Sequence, residues 1–254
     1  MGKYFGTDGF RGEANEGLTA EHAYKIGRFL GWYYGEQKRK AGSAEKARVV
    51  IGKDTRRSSY MFEYSLVGGL VASGADAYIM HVTTTPSVAY IARVDEFDCG
   101  IMITASHNPY YDNGIKLINS HGEKMDEETI AQVEAYLDGT QEAPYAHRNE
   151  IGCTVDYVAG RNRYIGYLIS LGVYSFRGKK VALDCANGAS WSIARSVRRA
   201  GCKDAGHQRR AERPQHQRER GFHAYRGTAK IRGGERLRRR LCLRRRRRPL
   251  PCGG

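Results

Sequence analysis

The chain has 254 residues, 41% of them hydrophobic, with 42 Lys+Arg against 27 Asp+Glu and a formal charge of +15. At roughly 100–200 residues per domain this is one large or two ordinary domains, and the apolar content excludes wholesale disorder. No apolar run reaches the roughly 18 residues of a membrane helix, and the opening Met1-Gly2-Lys3-Tyr4-Phe5 lacks the core of a signal peptide.

In chain order, residues 19–34 carry apolar side chains at helical spacing: Ala23, Ile26, Phe29, Leu30 and Tyr33. Residues 48–52 are an apolar run that ends in Lys53-Asp54 and predicts a buried strand. A helix is predicted over 58–73, a strand over 75–82, a helix over 86–94 and a buried strand over 100–104. Residues 126–137 predict a helix with acidic residues in its first turn, where the dipole favours them. Such alternation makes a parallel sheet covered on both faces the default, an α/β fold. After a polar stretch at 140–150 a second unit begins, with helix 157–171, strand 180–184, the turn Cys185-Ala186-Asn187-Gly188-Ala189-Ser190 and helix 192–200. The six cysteines form no CxxC pair, which disfavours a disulfide framework or a zinc site and favours a reducing cytoplasm.

The charge is unevenly placed. Residues 204–254 hold 17 Lys+Arg and 4 Asp+Glu, a net of +13, which leaves 25 basic and 23 acidic residues, a net of +2, in the remainder. A boundary therefore falls near Asp204.

Two loops carry residues suited to chemistry. Gly6-Thr7-Asp8-Gly9-Phe10-Arg11-Gly12 puts glycines, a carboxylate and an arginine together, which suits backbone approach to an anion with Arg11 as a phosphate fork. The same residues also fit a plain glycine-rich turn. Thr104-Ala105-Ser106-His107-Asn108-Pro109 begins at the carboxyl end of a buried strand, where ligands bind in open α/β sheets. Ser106 is a nucleophile there if a base is near, and His107 and Lys116 are the nearby candidates. A helix cap at Ser106 and a turn at Asn108-Pro109 is the plain alternative.

FGTDGFRG, GKDTRRSS and TASHNPYYDNGIKL, in this order and spacing, resemble the α-D-phosphohexomutases over about residues 1–203. The resemblance implies a three-layer α/β/α domain over 1–145, the incomplete start of a similar domain over 151–203, and a disordered basic tail over 204–254. It implies a reversible 1,6-phosphoryl exchange on a hexose or hexosamine phosphate, through a phosphoserine and a 1,6-bisphosphate. YFGTDGFRG and ASHNPYYDNGIK are most like the branch that interconverts glucosamine 6-phosphate and glucosamine 1-phosphate; the branch acting on mannose and glucose phosphates is the alternative. Ser106 would carry the phosphoryl group and, as phosphoserine, supply one ligand to Mg²⁺. Lys116 would be the general acid/base, His107 a neighbour in proton transfer or phosphate orientation, and Arg11 a stabiliser of phosphoryl charge. Thr7, Asp8, Gly9, Asn108 and Arg56 would line the substrate and phosphate cleft, and Cys185–Ala189 would be a structural turn. No membrane association and no specific nucleic-acid partner are expected, and the oligomeric state is left open.

The family's later Mg²⁺ loop, of the type DGDADR, does not appear; Arg244–Arg248 stands near where it is due. One permitted set of codons for residues 239–254, read with the first base dropped, gives VGFAYDGDADRCLAV. The same shift applied to 207–218 and 223–236 gives INAEPNGLNIN and THIEGLQKFVVENG. The tail is therefore expected to be the product of one reading-frame shift between about Cys202 and His207, and the chain an inactive fragment. The reading from another class is non-specific binding of nucleic acid by the sixteen arginines of the tail. The tail has no recognised motif and only Phe222 and Tyr225 as interleaved aromatics, which argues against specific recognition.

Overall fold

The computed structural model describes residues 2–175, 177–178, 180–194, 203–204 and 240–241. Its main element is a seven-stranded sheet of β1 (Phe5–Gly6), β2 (Gly9–Glu13), β3 (Arg48–Lys53), β4 (Asp76–Val82), β5 (Cys99–Ile103), β6 (Asp112–Asn119) and β7 (Thr154–Asp156), in the order β1-β2-β6-β5-β3-β4-β7. The helices are α1 (Ala20–Lys40), α2 (Ser58–Ala72), α3 (Thr85–Val94), α4 (Glu127–Leu137) and α5 (Val158–Ser170).

Side-chain alternation along the strands divides the core in two. Val49 and Ile51 of β3, Ile101 and Ile103 of β5, and Ile115 and Leu117 of β6 pack with Phe29 and Leu30 of α1, Phe62 and Leu66 of α2, and Val133 of α4. Val50, Met102 and Ile118, the intervening residues, face the other way onto Val88 and Ile91 of α3 and Tyr157. Helices thus cover both faces, as the three-layer expectation required. Each fully buried Phe or Leu contributes roughly 1.5–3 kcal/mol, which makes the two clusters the main source of stability.

The caps agree with the sequence chemistry. Thr19 accepts from the His22 amide and His22 Nδ1 accepts from the Thr19 amide, which starts α1. Asp126 accepts from the Thr129 amide at 2.7 Å and starts α4.

Three expectations are corrected. The sheet is mixed rather than parallel: β6 runs antiparallel to both β5 and β2, and β1 antiparallel to β2. Residues 112–119, for which the sequence pattern predicts no strand, form β6, because Ile115, Leu117 and Ile118 complete the two cores. Thr154–Asp156, placed by sequence in a second unit, pairs in parallel with Ala77–Ile79 of β4, so the first sheet reaches beyond residue 150.

A second, parallel sheet has β8 (Lys180–Leu183) between β9 (Lys203–Asp204) and β10 (Arg240–Leu241). The expected helix 192–200 lies outside the described residues from 195 onward. So does the expected disordered tail, apart from Asp204, Arg240 and Leu241, whose backbones pair with β8. Among the described residues no helix is long and apolar enough to cross a membrane.

Candidate active site

Ser106 lies three residues past the end of β5, in the loop that joins this strand to β6. Its φ is +63°, the left-handed region that side-chain-bearing residues seldom adopt. Such strain persists only where the surroundings impose it, and it clusters at functional sites.

Those surroundings are a buried polar network. Thr104 donates its hydroxyl to Asp54 Oδ2 at 2.8 Å and accepts from the Ser106 amide at 3.0 Å. Asp54 Oδ1 accepts from the Ser59 hydroxyl and from the Arg56 amide, and Oδ2 accepts from Arg56 Nε at 2.9 Å. The Arg56 guanidinium then reaches across to the Ser106 loop. Nη1 donates to the carbonyls of Pro109 and Asp112, and Nη2 to those of Asn108, at 2.9 Å, and Ser106, at 3.5 Å. Asn113 donates to the hydroxyls of Ser58 and Ser59 and seats the start of β6 on α2.

The glycine-rich loop meets the same strand from its other edge. Thr7 and Asp8 form the exposed turn between β1 and β2, and Asp8 pairs with Arg11 at 2.8 Å. Gly9 has φ +99°, and a Cβ there would stand 2.4 Å from the Ile115 carbonyl and 3.1 Å from Lys116 Cγ. Only glycine lets this loop lie against β6. Arg11 pairs with Gly114 and Lys116 with Met102, so both side chains leave the sheet on the face opposite α1 and α2. Lys116 is half-buried. Burial pulls its pKa below the usual lysine value, the Asp8 carboxylate opposes that shift, and the Arg11 charge adds to it.

The structure therefore brings Arg11, Asp8, Gly9 and Lys116 together, with Ser106 on the loop preceding the same strand. His107 is exposed. Asn108 bonds inward, from its Nδ2 to Asp112 at 2.9 Å. Arg56, expected to line the phosphate cleft, is 4% exposed and its N–H groups face Asp54 and loop carbonyls. Sequence reasoning missed Thr104, Ser59 and Asn113. Thr104 had a signal, since a hydroxyl two residues before a loop serine is placed to cap its amide. At the far end of the 54–57 loop, the Thr55 hydroxyl donates to the Asn187 carbonyl at 3.2 Å.

Among the described residues, no group of three or more His, Cys, Asp or Glu could hold a metal ion. The carboxylates beside the loops are already engaged, Asp8 with Arg11 and Asp112 with the Asn108 side-chain amide. The described residues do not by themselves fit a Mg²⁺ site.

The site thus sets a strained serine at a strand end of an α/β/α domain, with lysine and arginine on the adjoining strands, an arrangement of nucleophile and cations suited to handling an anionic group. Residues 2–144 match the family model described as phosphoglucomutase/phosphomannomutase, alpha/beta/alpha domain I, and the chain belongs to that family. It is 69% identical over 198 residues to a phosphoglucosamine mutase of Lachnospira eligens, 63% identical to one of Lachnoclostridium phytofermentans and 46% identical to one of Streptococcus pneumoniae. Each match covers 78% of this chain and 43% of the relative, so the chain spans less than half the length of these proteins. Its fold is similar to that of a phosphoglucomutase/phosphomannomutase family protein of Burkholderia thailandensis, with a TM-score of 0.62 and 23% identity over 79% of this chain and 43% of the other. A putative phosphomannomutase of Thermus thermophilus superposes with a TM-score of 0.57 at 24% identity, over 79% of this chain and 45% of the other.

Proposed function

We propose that the chain is the phosphoserine-bearing part of a phosphoglucosamine mutase, which interconverts glucosamine 6-phosphate and glucosamine 1-phosphate. The observation that carries the reading is Ser106 held in a left-handed turn beside β6, the strand that carries Lys116. In the forward half-reaction the phosphoryl group leaves Ser106 Oγ for a sugar hydroxyl. The P–O bond to the serine breaks, the P–O bond to the sugar forms, and the hydroxyl proton passes to Lys116 as its neutral amine. The resulting 1,6-bisphosphate turns over and rephosphorylates Ser106 from its other end, with the lysine returning the proton. Arg11 neutralises charge on the phosphoryl oxygens, and positioning together with such neutralisation supplies most of the catalysis in this chemistry. A Mg²⁺ ion, expected for the family, would neutralise phosphoryl charge; phosphorylated Ser106 would supply one ligand, and the aspartate ligands of the family's metal loop are not in this sequence. The location that suits these thiols and this substrate is cytoplasmic.

The lowered pKa of Lys116 gives a test with a sign. Below that pKa the side chain is an ammonium and accepts no proton, so the rate of phosphoryl transfer from phosphoserine rises with pH and levels off short of the usual lysine value of 10.5. Lys116→Met removes this rise and slows transfer by about 10²–10⁴-fold, the usual size of a general acid–base contribution. An unchanged pH profile in the variant would assign the proton elsewhere.

We further infer that residues from about 204 onward are read out of frame. What supports this is the break in charge at Asp204, together with three shifted stretches that agree on one frame and recover a DGDADR loop. Sequencing the gene from the codon of Ala200 past that of Gly254 tests it, and a single missing or extra base is expected. With the frame restored, the long protein turns over glucosamine phosphate faster than mannose or glucose phosphate, whereas the 254-residue chain shows no mutase turnover. An intact gene would leave the tail as a true product with a role of its own.

A further inference from the structure

We propose that Arg56, held in place by Asp54, is the positioning residue that sets the Ser106 loop for phosphoryl transfer; the proposal rests on the reading of Ser106 as the phosphoryl carrier. An arginine has five N–H donors in a planar fork. Here Nε is fixed on Asp54 Oδ2, and both Nη atoms face carbonyl oxygens of residues 106, 108, 109 and 112. The guanidinium therefore sits behind the loop. It draws the carbonyls of the loop inward.

The orientation of the arginine is itself fixed. Asp54 is the first residue beyond β3, and its amide donates to the Ile103 carbonyl at 3.0 Å, which ties it to the last residue of β5. Both carboxylate oxygens are held, by Ser59, Thr104 and the two donors of Arg56. Thr104 closes the circuit, since its hydroxyl both donates to Asp54 and accepts from the Ser106 amide. The Ser106 backbone is thus gripped at its N–H through Thr104 and at its C=O by Arg56. One grip on each of the two peptide units that flank the Ser106 Cα accounts for a non-glycine residue at φ +63°.

Arg56 touches no reacting atom, so its loss misplaces the nucleophile without removing a group that binds substrate. A displacement of about 1 Å at a reacting centre costs on the order of 100-fold in rate. Lysine is no substitute, because a point charge on a flexible stem does not reproduce a fork that spans four carbonyls.

The test uses the whole 254-residue chain with Arg56→Lys, Arg56→Ala and, as a control for charge, Arg57→Ala, whose side chain is exposed. Two quantities are read: amide hydrogen exchange across residues 104–114, and the rate at which Ser106 takes a phosphoryl group from glucose 1,6-bisphosphate. Expected for both Arg56 variants is loop exchange faster by about ten-fold or more. The maximal phosphorylation rate falls about 100-fold, while the half-saturating bisphosphate concentration stays within about three-fold. Millimolar guanidinium added to Arg56→Ala restores part of the rate, and Arg57→Ala behaves as wild type. If Arg56→Lys keeps wild-type exchange and rate, the proposal is wrong. A raised half-saturating concentration at unchanged maximal rate also overturns it, and makes Arg56 a phosphate ligand. If the unmodified chain, which lacks the aspartate loop, takes up no phosphoryl group, exchange in the loop decides the clamp by itself; absence of uptake in the frame-restored protein as well overturns the reading of Ser106.

Discussion

Ser106→Ala abolishes phosphoryl uptake from a hexose 1,6-bisphosphate and leaves the fold intact. The phenols of Tyr110 and Tyr111 are exposed, but Thr104 carries the one other aliphatic hydroxyl between β5 and β6, and it is not free. Thr104 is 7% exposed, and its oxygen is engaged with Asp54 and the Ser106 amide. That second bond is to the backbone, so it survives the substitution. The φ of +63° is borne equally by serine and alanine, so the backbone strain is unchanged. Ser106→Gly relieves it and raises stability by about 1 kcal/mol while being equally unreactive. Intact mass and peptide mapping after incubation give the uptake, and thermal unfolding gives the stability order Gly above Ala. Uptake retained by both variants would place the phosphoryl acceptor on another residue.

The second large effect is on stability. Lys53, the last residue of β3, forms a salt bridge with Glu63 of α2 beneath the sheet, at 2% and 1% exposure. Lys53 Nζ also lies 3.9 Å from the centre of the Tyr60 ring. Glu63 Oε1 is buried without a hydrogen-bond partner, so the pair is held less fully than its burial demands. Removing one partner strands the other charge in the core. Lys53→Met or Glu63→Leu alone is expected to cost about 3–5 kcal/mol, a large part of the roughly 5–15 kcal/mol that keeps a typical domain folded. The double variant recovers most of that loss, because two apolar side chains of similar volume bring no charge into the core. Urea unfolding of the four proteins measures the coupling. A double variant as unstable as the sum of the singles would show that the pair is held for packing alone.

How far the sequence disclosed this molecule depends on where each signal was local. Val49-Val50-Ile51 and Ile101-Met102-Ile103 announced buried strands, because a run covered on both faces leaves no polar position. The spacing of Ala23, Ile26, Phe29 and Leu30 announced α1, although its last turn, rich in Lys and Arg, extended past the apolar signal to Lys40. β6 was hidden by Asp112-Asn113-Gly114, which carries the composition of a turn. Gly114 sits in the strand because a Cβ there would stand 2.8 Å from the Thr104 carbonyl and 3.0 Å from that of Phe10. β7 was too short to show a period. At the site, Ser106, Lys116 and Arg11 were legible from motif and type. The burial of Arg56 was not legible, because Lys53-Asp54-Thr55-Arg56-Arg57 has the composition of a polar, charged loop. Its burial is created by carbonyls some fifty positions further along the chain, which no local pattern reports.

The pairing of β7 with β4 bears on where the chain is safely divided. A piece ending at residue 144, the limit of the family match, leaves Ala77–Ile79 with one row of backbone donors and acceptors unanswered. The inner side chains of that strand are apolar and its outward Tyr78 packs against Tyr157, which the shorter piece also lacks. Open edges of this kind recruit a strand from another molecule and lead to aggregation. A piece ending after Ser170 carries its own edge protection, together with the α5 helix that packs over α3 and β4. Three residues of strand thus separate a self-contained domain from an adhesive one.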